Sequence, residues 1–165
     1  KDVMAISSLA KDMGVSSSIL SAVTEVNERQ PEVILQILKK ALGNLDNKRI
    51  LMLGLAFKPD TDDVRESISL KLLKILSGEV KNLIAHDPIA IQNTIMNLNE
   101  NYAVNFSHNW KNEIEDSDII IICTNWSEYL ELFEMTDHLK GKVIFDTRSL
   151  LSGLDDANLQ YITVN

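Results

Sequence analysis

Lys58, Asp60, Asp62, Asp63 and Arg65 bring both charge signs into one short loop, just after the apolar run Ile50 to Leu53 and Gly54. Lys58 offers a compact cation for a phosphate or a polar substrate. Arg148, in the sequence Asp146-Thr-Arg148, offers a planar fork that matches a carboxylate or a diphosphate. Both residues also fit a plainer role, as solvated loop residues or partners of nearby aspartates. The three aspartates lack the spacing of a calcium loop, and with Lys58 and Arg65 flanking them they read as helix-capping and ion-pairing groups. His86 beside Asp87 suits an orienting pair, while His108 and His138 show no spacing that suggests a common site. Cys123 ends a run of isoleucines and reads as a small core residue, because a catalytic thiol needs exposure and a base or positive field. No constellation has the spacing of a zinc site.

The elements that must position these residues alternate along the chain. Expected strands run from Arg49 to Leu53, Val80 to His86, Ala103 to Phe106, Ile119 to Thr124, Val143 to Asp146 and Tyr161 to Val164. Expected helices between them are Ser67 to Leu76, Ile89 to Asn97, Trp110 to Glu115 and Ser127 to Leu139. The order and the Ile-Leu-Val-rich strands predict an α/β fold: a Rossmann-like, mostly parallel sheet covered by helices on both faces. An amphipathic helical segment precedes it, with apolar residues at helical spacing from Val3 to Met13, Ile19 to Val26 and Val33 to Leu42. Pro31 is expected to kink the second helix or to open a new one. In a parallel sheet all carboxyl ends of the strands share an edge, so Lys58, Asp87, Asn125 and Arg148 are expected on one side of the molecule. The first strand lacks the G-x-G-x-x-G fingerprint of a dinucleotide site, since Leu55, Ala56 and Phe57 follow Gly54.

Composition narrows the classes further. The 165 residues include 24 acidic and 16 basic side chains, a formal charge of -8, which argues against a broad nucleic-acid surface. One cysteine forms no internal disulfide and suits a reducing compartment. Apolar runs fall far short of a membrane span and no signal-peptide pattern opens the chain, so the expected location is cytoplasmic, with no membrane partner.

The stretch Gly54-Leu-Ala-Phe-Lys-Pro-Asp-Thr-Asp-Asp-Val-Arg-Glu-Ser67 resembles the hallmark of the UDP-glucose/GDP-mannose dehydrogenase family, in wording nearest its UDP-glucose 6-dehydrogenase branch. His86-Asp-Pro88, Ile122-Cys-Thr-Asn-Trp126, Phe145-Asp-Thr-Arg148 and the helical Val26-Asn-Glu-Arg-Gln30 extend the likeness over nearly the whole chain. The resemblance implies that residues 1–43 are part of a central helical dimerisation region and residues 44–165 a C-terminal UDP-sugar-binding domain. It implies a homodimer through the front helices, a UDP-sugar substrate, and NAD bound mainly by a domain outside this chain. Such enzymes oxidise the sugar's C6 alcohol to a carboxylate, consuming two NAD and one water. Lys1-Asp2 matches the end of the family's Gly-Gly-x-Cys-x-x-Lys-Asp motif, which implies a catalytic cysteine upstream and an inactive fragment here. By the same likeness Asp2 assists water and proton transfer, Phe57 and Lys58 contact the UDP-sugar, Arg65 reaches NAD, and Arg148 helps hold the UDP portion. Ser149 stands where the family often has a second basic residue, and Ile68 replaces a common proline. Two alternatives stay open: a family member acting on another UDP-hexose or on GDP-mannose, and a noncatalytic nucleotide-binding module.

Overall fold

The structure, a computed structural model, describes residues 2–98, 101–154 and 157–164, with side chains from Val3 onward. Helix α1 (Asp2–Asp12) ends before Gly14, whose φ of 67° suits glycine. Helix α2 (Ser18–Leu42) stops at Gly43, φ 73°, whose N–H donates to the Lys39 carbonyl at 2.9 Å. Of the two expectations at Pro31, a new helix does not open there: α2 continues through it as one helix. Proline removes the N–H that would pair with the carbonyl of Asn27. The buried Pro31, Ile34, Leu35 and Leu38 offset that loss by docking this half of α2 against the sheet domain.

Six strands form one sheet: β1 (Arg49–Leu53), β2 (Asn82–His86), β3 (Asn105–Phe106), β4 (Ile119–Ile122), β5 (Val143–Asp146) and β6 (Gln160–Thr163). Their order is β3-β2-β1-β4-β5-β6 and every pairing is parallel. The sheet is therefore wholly rather than mostly parallel. All four residues of β4 are buried, as expected for a strand covered on both faces. Helix α3 (Ile68–Glu79) connects β1 to β2 and packs against α2; α4 (Ile91–Asn97) connects β2 to β3.

The helices expected at Trp110 to Glu115 and Ser127 to Leu139 are instead 3₁₀ segments, Trp110–Glu113, Ser127–Glu134 and Thr136–Leu139. Tyr129 and Leu132, three residues apart, are both fully buried. A 3₁₀ helix stacks that spacing on one side, so two anchors hold the segment on the sheet.

Register aligns the strand ends. Leu53 pairs with His86 and with Ile122, and Ile122 pairs with Asp146. The loops that leave these four residues therefore emerge side by side, and the strand order reverses between β1 and β4.

Candidate functional site at the carboxyl edge of the sheet

Open α/β sheets take ligands where the strand order reverses, here between β1 and β4. The floor of that crevice is tightly stitched. Gly54 adopts φ 91°, and a Cβ there would lie 2.5 Å from the Thr124 Cβ and 2.6 Å from its backbone N. Gly54 N–H donates to the His86 carbonyl at 2.8 Å, and the Thr124 hydroxyl donates to the Ala56 carbonyl at 2.7 Å. Glycine is required because backbones from two loops meet at this point.

Asp87 is the residue whose role the sequence concealed. It is 1% exposed, and its Oδ2 accepts from Leu55 N at 2.7 Å, Ala56 N at 3.1 Å and the Trp126 indole at 3.1 Å. Its Oδ1 accepts from Ile89 N at 3.0 Å and Ala90 N at 2.8 Å. The expected His86–Asp87 orienting pair is not formed. The His86 ring turns to the Tyr129 hydroxyl at 3.0 Å, while Asp87 ties together three strand-end loops. Trp126 and Tyr129 are both buried, as packing residues.

Phe57 and Lys58 project from this anchored turn and are exposed. The Lys58 ammonium lies over the Phe57 ring, 5.4 Å from its centroid. The pair thus presents an aromatic surface beside a solvated cation. Phe57 N–H donates to the Asp63 carbonyl at 3.1 Å, closing the loop. Arg65 is exposed and forked onto Asp63, with Nε and Nη2 each 2.8 Å from a carboxylate oxygen. The ion pairing expected for the acidic run is realised in Asp63. Among the described residues no group of three His, Cys, Asp or Glu side chains could hold a metal ion.

Arg148 leaves the end of β5. Asp146, fully buried, accepts from Arg148 N at 2.9 Å, Leu151 N at 2.8 Å and the Tyr161 hydroxyl at 2.8 Å. The Arg148 Nε donates to the Cys123 carbonyl at 2.7 Å. The side chain borders a cleft of about 170 Å³ shared with Asn27, Gln30, Ile34, Ile68, Ser69, Leu72, Cys123 and Thr147. Ser69 is 2% exposed, and its hydroxyl has no hydrogen-bond partner among the described residues. The sequence showed Asn27 and Gln30 only within Val26-Asn-Glu-Arg-Gln30 and did not single out Ser69, because their meeting depends on α2 docking beside α3. Cys123 is 3% exposed and burial pushes its thiol up to about 12, so it supplies no thiolate near neutral pH.

The other site residues are distributed differently. Arg65 borders a separate depression with Asp62, Asp63, Val64, Asn93 and Asn97, so it shares an edge with Arg148 but not a cleft. The Asp2 side chain lies outside the described residues. Beyond β2, His86, His108, Lys111, Glu128 and Glu131 line one depression. The structure therefore brings together His86 and His108, which the sequence left apart. Burial drives the His86 pKa down to about 4 against the opposing pull of Asp87, and His108 adds to the depression. No helix among the described residues is long and apolar enough to cross a membrane.

Comparison with known proteins agrees with this fold. The chain is 31% identical over 163 residues to UDP-glucose 6-dehydrogenase AglM of Haloferax volcanii, covering 96% of this chain and 37% of that protein. It is 36% identical over 154 residues to UDP-glucose 6-dehydrogenase TuaD of Bacillus subtilis, covering 92% of this chain and 33% of that protein. A UDP-glucose dehydrogenase structure from the archaeon Pyrobaculum islandicum superposes with a TM-score of 0.78 at 30% identity, over 96% of this chain and 35% of the other. The chain thus spans about a third of the length of these relatives. Residues 51–153, which include every strand-end loop from Gly54 to Ser149, match the UDP binding domain of one family, and the chain belongs to it: the UDP-glucose/GDP-mannose dehydrogenase family.

Proposed function

We propose that this chain is the nucleotide-sugar-binding and dimerising part of an NAD-dependent UDP-glucose 6-dehydrogenase. The observation that carries the reading is the placement of Phe57, Lys58 and Arg148 along one carboxyl edge, with the partnerless Ser69 hydroxyl in the cleft beside Arg148. Lys58 and Arg148 supply positive charge for a diphosphate, and Phe57 supplies an apolar face for the ring system. Ser69, Asn27 and Gln30 offer the neutral donors that orient polar groups. The UDP-glucose 6-dehydrogenase names of the similar proteins support the sugar assignment.

NAD accepts the hydride in such an oxidation. The first turn of this sheet does not fit it: the Leu55 and Ala56 amides that would face a pyrophosphate already face Asp87, and no second glycine opens the turn. No catalytic step is therefore assigned to this sheet. To Arg65, exposed and held by Asp63, we assign contact with NAD carried elsewhere in the enzyme, and to Asp2 the water and proton steps. The front helices pair with a second copy through Met4, Ile6, Leu9, Met13 and Ile19, all exposed. A reducing, cytoplasmic setting accords with the single buried thiol.

Calorimetric titration of the chain with UDP-glucose, UDP and GDP-mannose tests the assignment. Saturable UDP and UDP-glucose binding is expected, weakened about tenfold in Lys58→Ala, the size of one charge-assisted contact. A preference for GDP-mannose would overturn the UDP-glucose assignment, and binding indifferent to Lys58→Ala would overturn its place in the site.

A further inference from the structure

A Rossmann-like sheet normally leaves the amides of its first turn open, so that they can receive a phosphate. Here those amides are already occupied. Leu55 N and Ala56 N converge on one oxygen of Asp87, at 2.7 and 3.1 Å, and the Trp126 indole reaches the same oxygen at 3.1 Å. The second oxygen takes Ile89 N and Ala90 N, so both halves of the carboxylate are matched by donors. A carboxylate immediately before a turn is commonly a local cap, which accounts for Ile89 and Ala90. It does not account for the three donors from loops 31 to 39 residues away. Two of them, the Leu55 and Ala56 amides, lie at the base of the segment that carries Phe57 and Lys58.

The same turn has two other tethers. Ser67 Oγ donates to the Leu55 carbonyl at 2.9 Å while accepting from Leu70 N, and Thr124 Oγ1 holds the Ala56 carbonyl. Both fix carbonyls. Asp87 supplies the acceptor for both amides, and it does so from inside the protein, 1% exposed.

We propose that Asp87 is a built-in anion in the phosphate position of this sheet: its carboxylate bars a dinucleotide from the β1 turn and positions Phe57 and Lys58. It is a positioning residue, and its effect on nucleotide-sugar binding rests on the function proposed above. The sheet then keeps the rigid first turn of a dinucleotide-binding fold without the cofactor, and turns that rigidity to presenting a loop.

The test uses ¹H–¹⁵N spectra of the 165-residue chain as wild type and Asp87→Ala, with formate as a small carboxylate probe. In Asp87→Ala the Leu55 and Ala56 amides and the Trp126 indole shift or broaden. Formate returns them saturably toward their wild-type positions and leaves wild type unmoved. UDP affinity falls about tenfold in the variant and recovers with formate, a readout that loss of packing alone would not give. The proposal is overturned if those three resonances keep their wild-type positions in a folded Asp87→Ala, if formate does not restore them, or if formate or inorganic phosphate moves them in wild type. Should Asp87→Ala fail to fold, Asp87→Asn decides: with only one acceptor oxygen it must disturb either the Leu55–Ala56–Trp126 set or the Ile89–Ala90 set, and neither moving overturns the proposal. A wild-type chain that takes no UDP overturns the positioning role together with the function proposed above, whereas formate rescue of the amides would still support the blocking role.

Discussion

The two halves of α2 share one helix and one apolar periodicity, yet they meet opposite surroundings. After Pro31 the stripe is buried, with Ile34 2% and Leu38 0% exposed. Before it the stripe faces outward, with Ile19 80% and Val26 62% exposed, and Leu9 of α1 and Met13 just after it are exposed as well. Helical spacing therefore marks a surface built to be covered, but only packing decides what covers it. The docked half has α3 to cover it; the outer half is what we assign to a second copy.

Three perturbations separate the halves, in decreasing order of their effect on the fold. Leu38→Ala removes a fully buried side chain from the docked half. It should destabilise the chain by about 3 kcal/mol in urea unfolding, a cavity cost that an undocked helix would not show. A pH series comes next and probes the sheet side. The His86 pKa is held near 4 in the folded chain against an ordinary 6.5, chiefly by burial. A lowered pKa means the unfolded chain binds the proton first as pH falls. Stability from His86 is thus complete above pH 6.5 and is lost as pH drops toward about 4. The loss should shrink in His86→Gln. Glu128, raised by burial, acts with the opposite sign, so Glu128→Gln should steepen the loss. The smallest effect on the fold belongs to Ile19→Asp in the outer half. It should change monomer stability by less than about 0.5 kcal/mol. In sedimentation, however, it should convert a dimer to a monomer; a persistent dimer would remove this face from the interface.

Much of the fold was legible because it rests on local rules. Arg49 to Leu53 and Val143 to Asp146 form strands at the expected residues, and β-α-β order gave the parallel sheet. At Pro31 no new helix opens, because burial of its neighbours on α2 outweighs the local cost of proline. The segment after Trp126 misled because apolar spacing does not distinguish an α-helix from 3₁₀ turns anchored by Tyr129 and Leu132. At the site, Lys58 and Arg148 were visible as charges at strand ends. Asp87 was visible as a strand-end residue beside His86, but its anchoring role was not, since its distant partners are backbone amides and an indole brought in by two other loops. Ser69, outside any motif, and Gln30, visible only as the end of Val26-Asn-Glu-Arg-Gln30, gave no sign of a shared cleft, because it exists only once α2 and α3 pack beside the end of β5.

The central claim is that the carboxyl edge of this sheet holds a nucleotide diphosphate sugar. Mapping backbone amide shifts during a UDP-glucose titration tests it most directly. The account predicts saturable shifts centred on Phe57, Lys58, Ser69 and Thr147 to Ser149, with the depression around His108 and Glu131 unmoved. Shifts centred on that depression, or on the amino ends of the strands at Arg49 and Asn82, would contradict it.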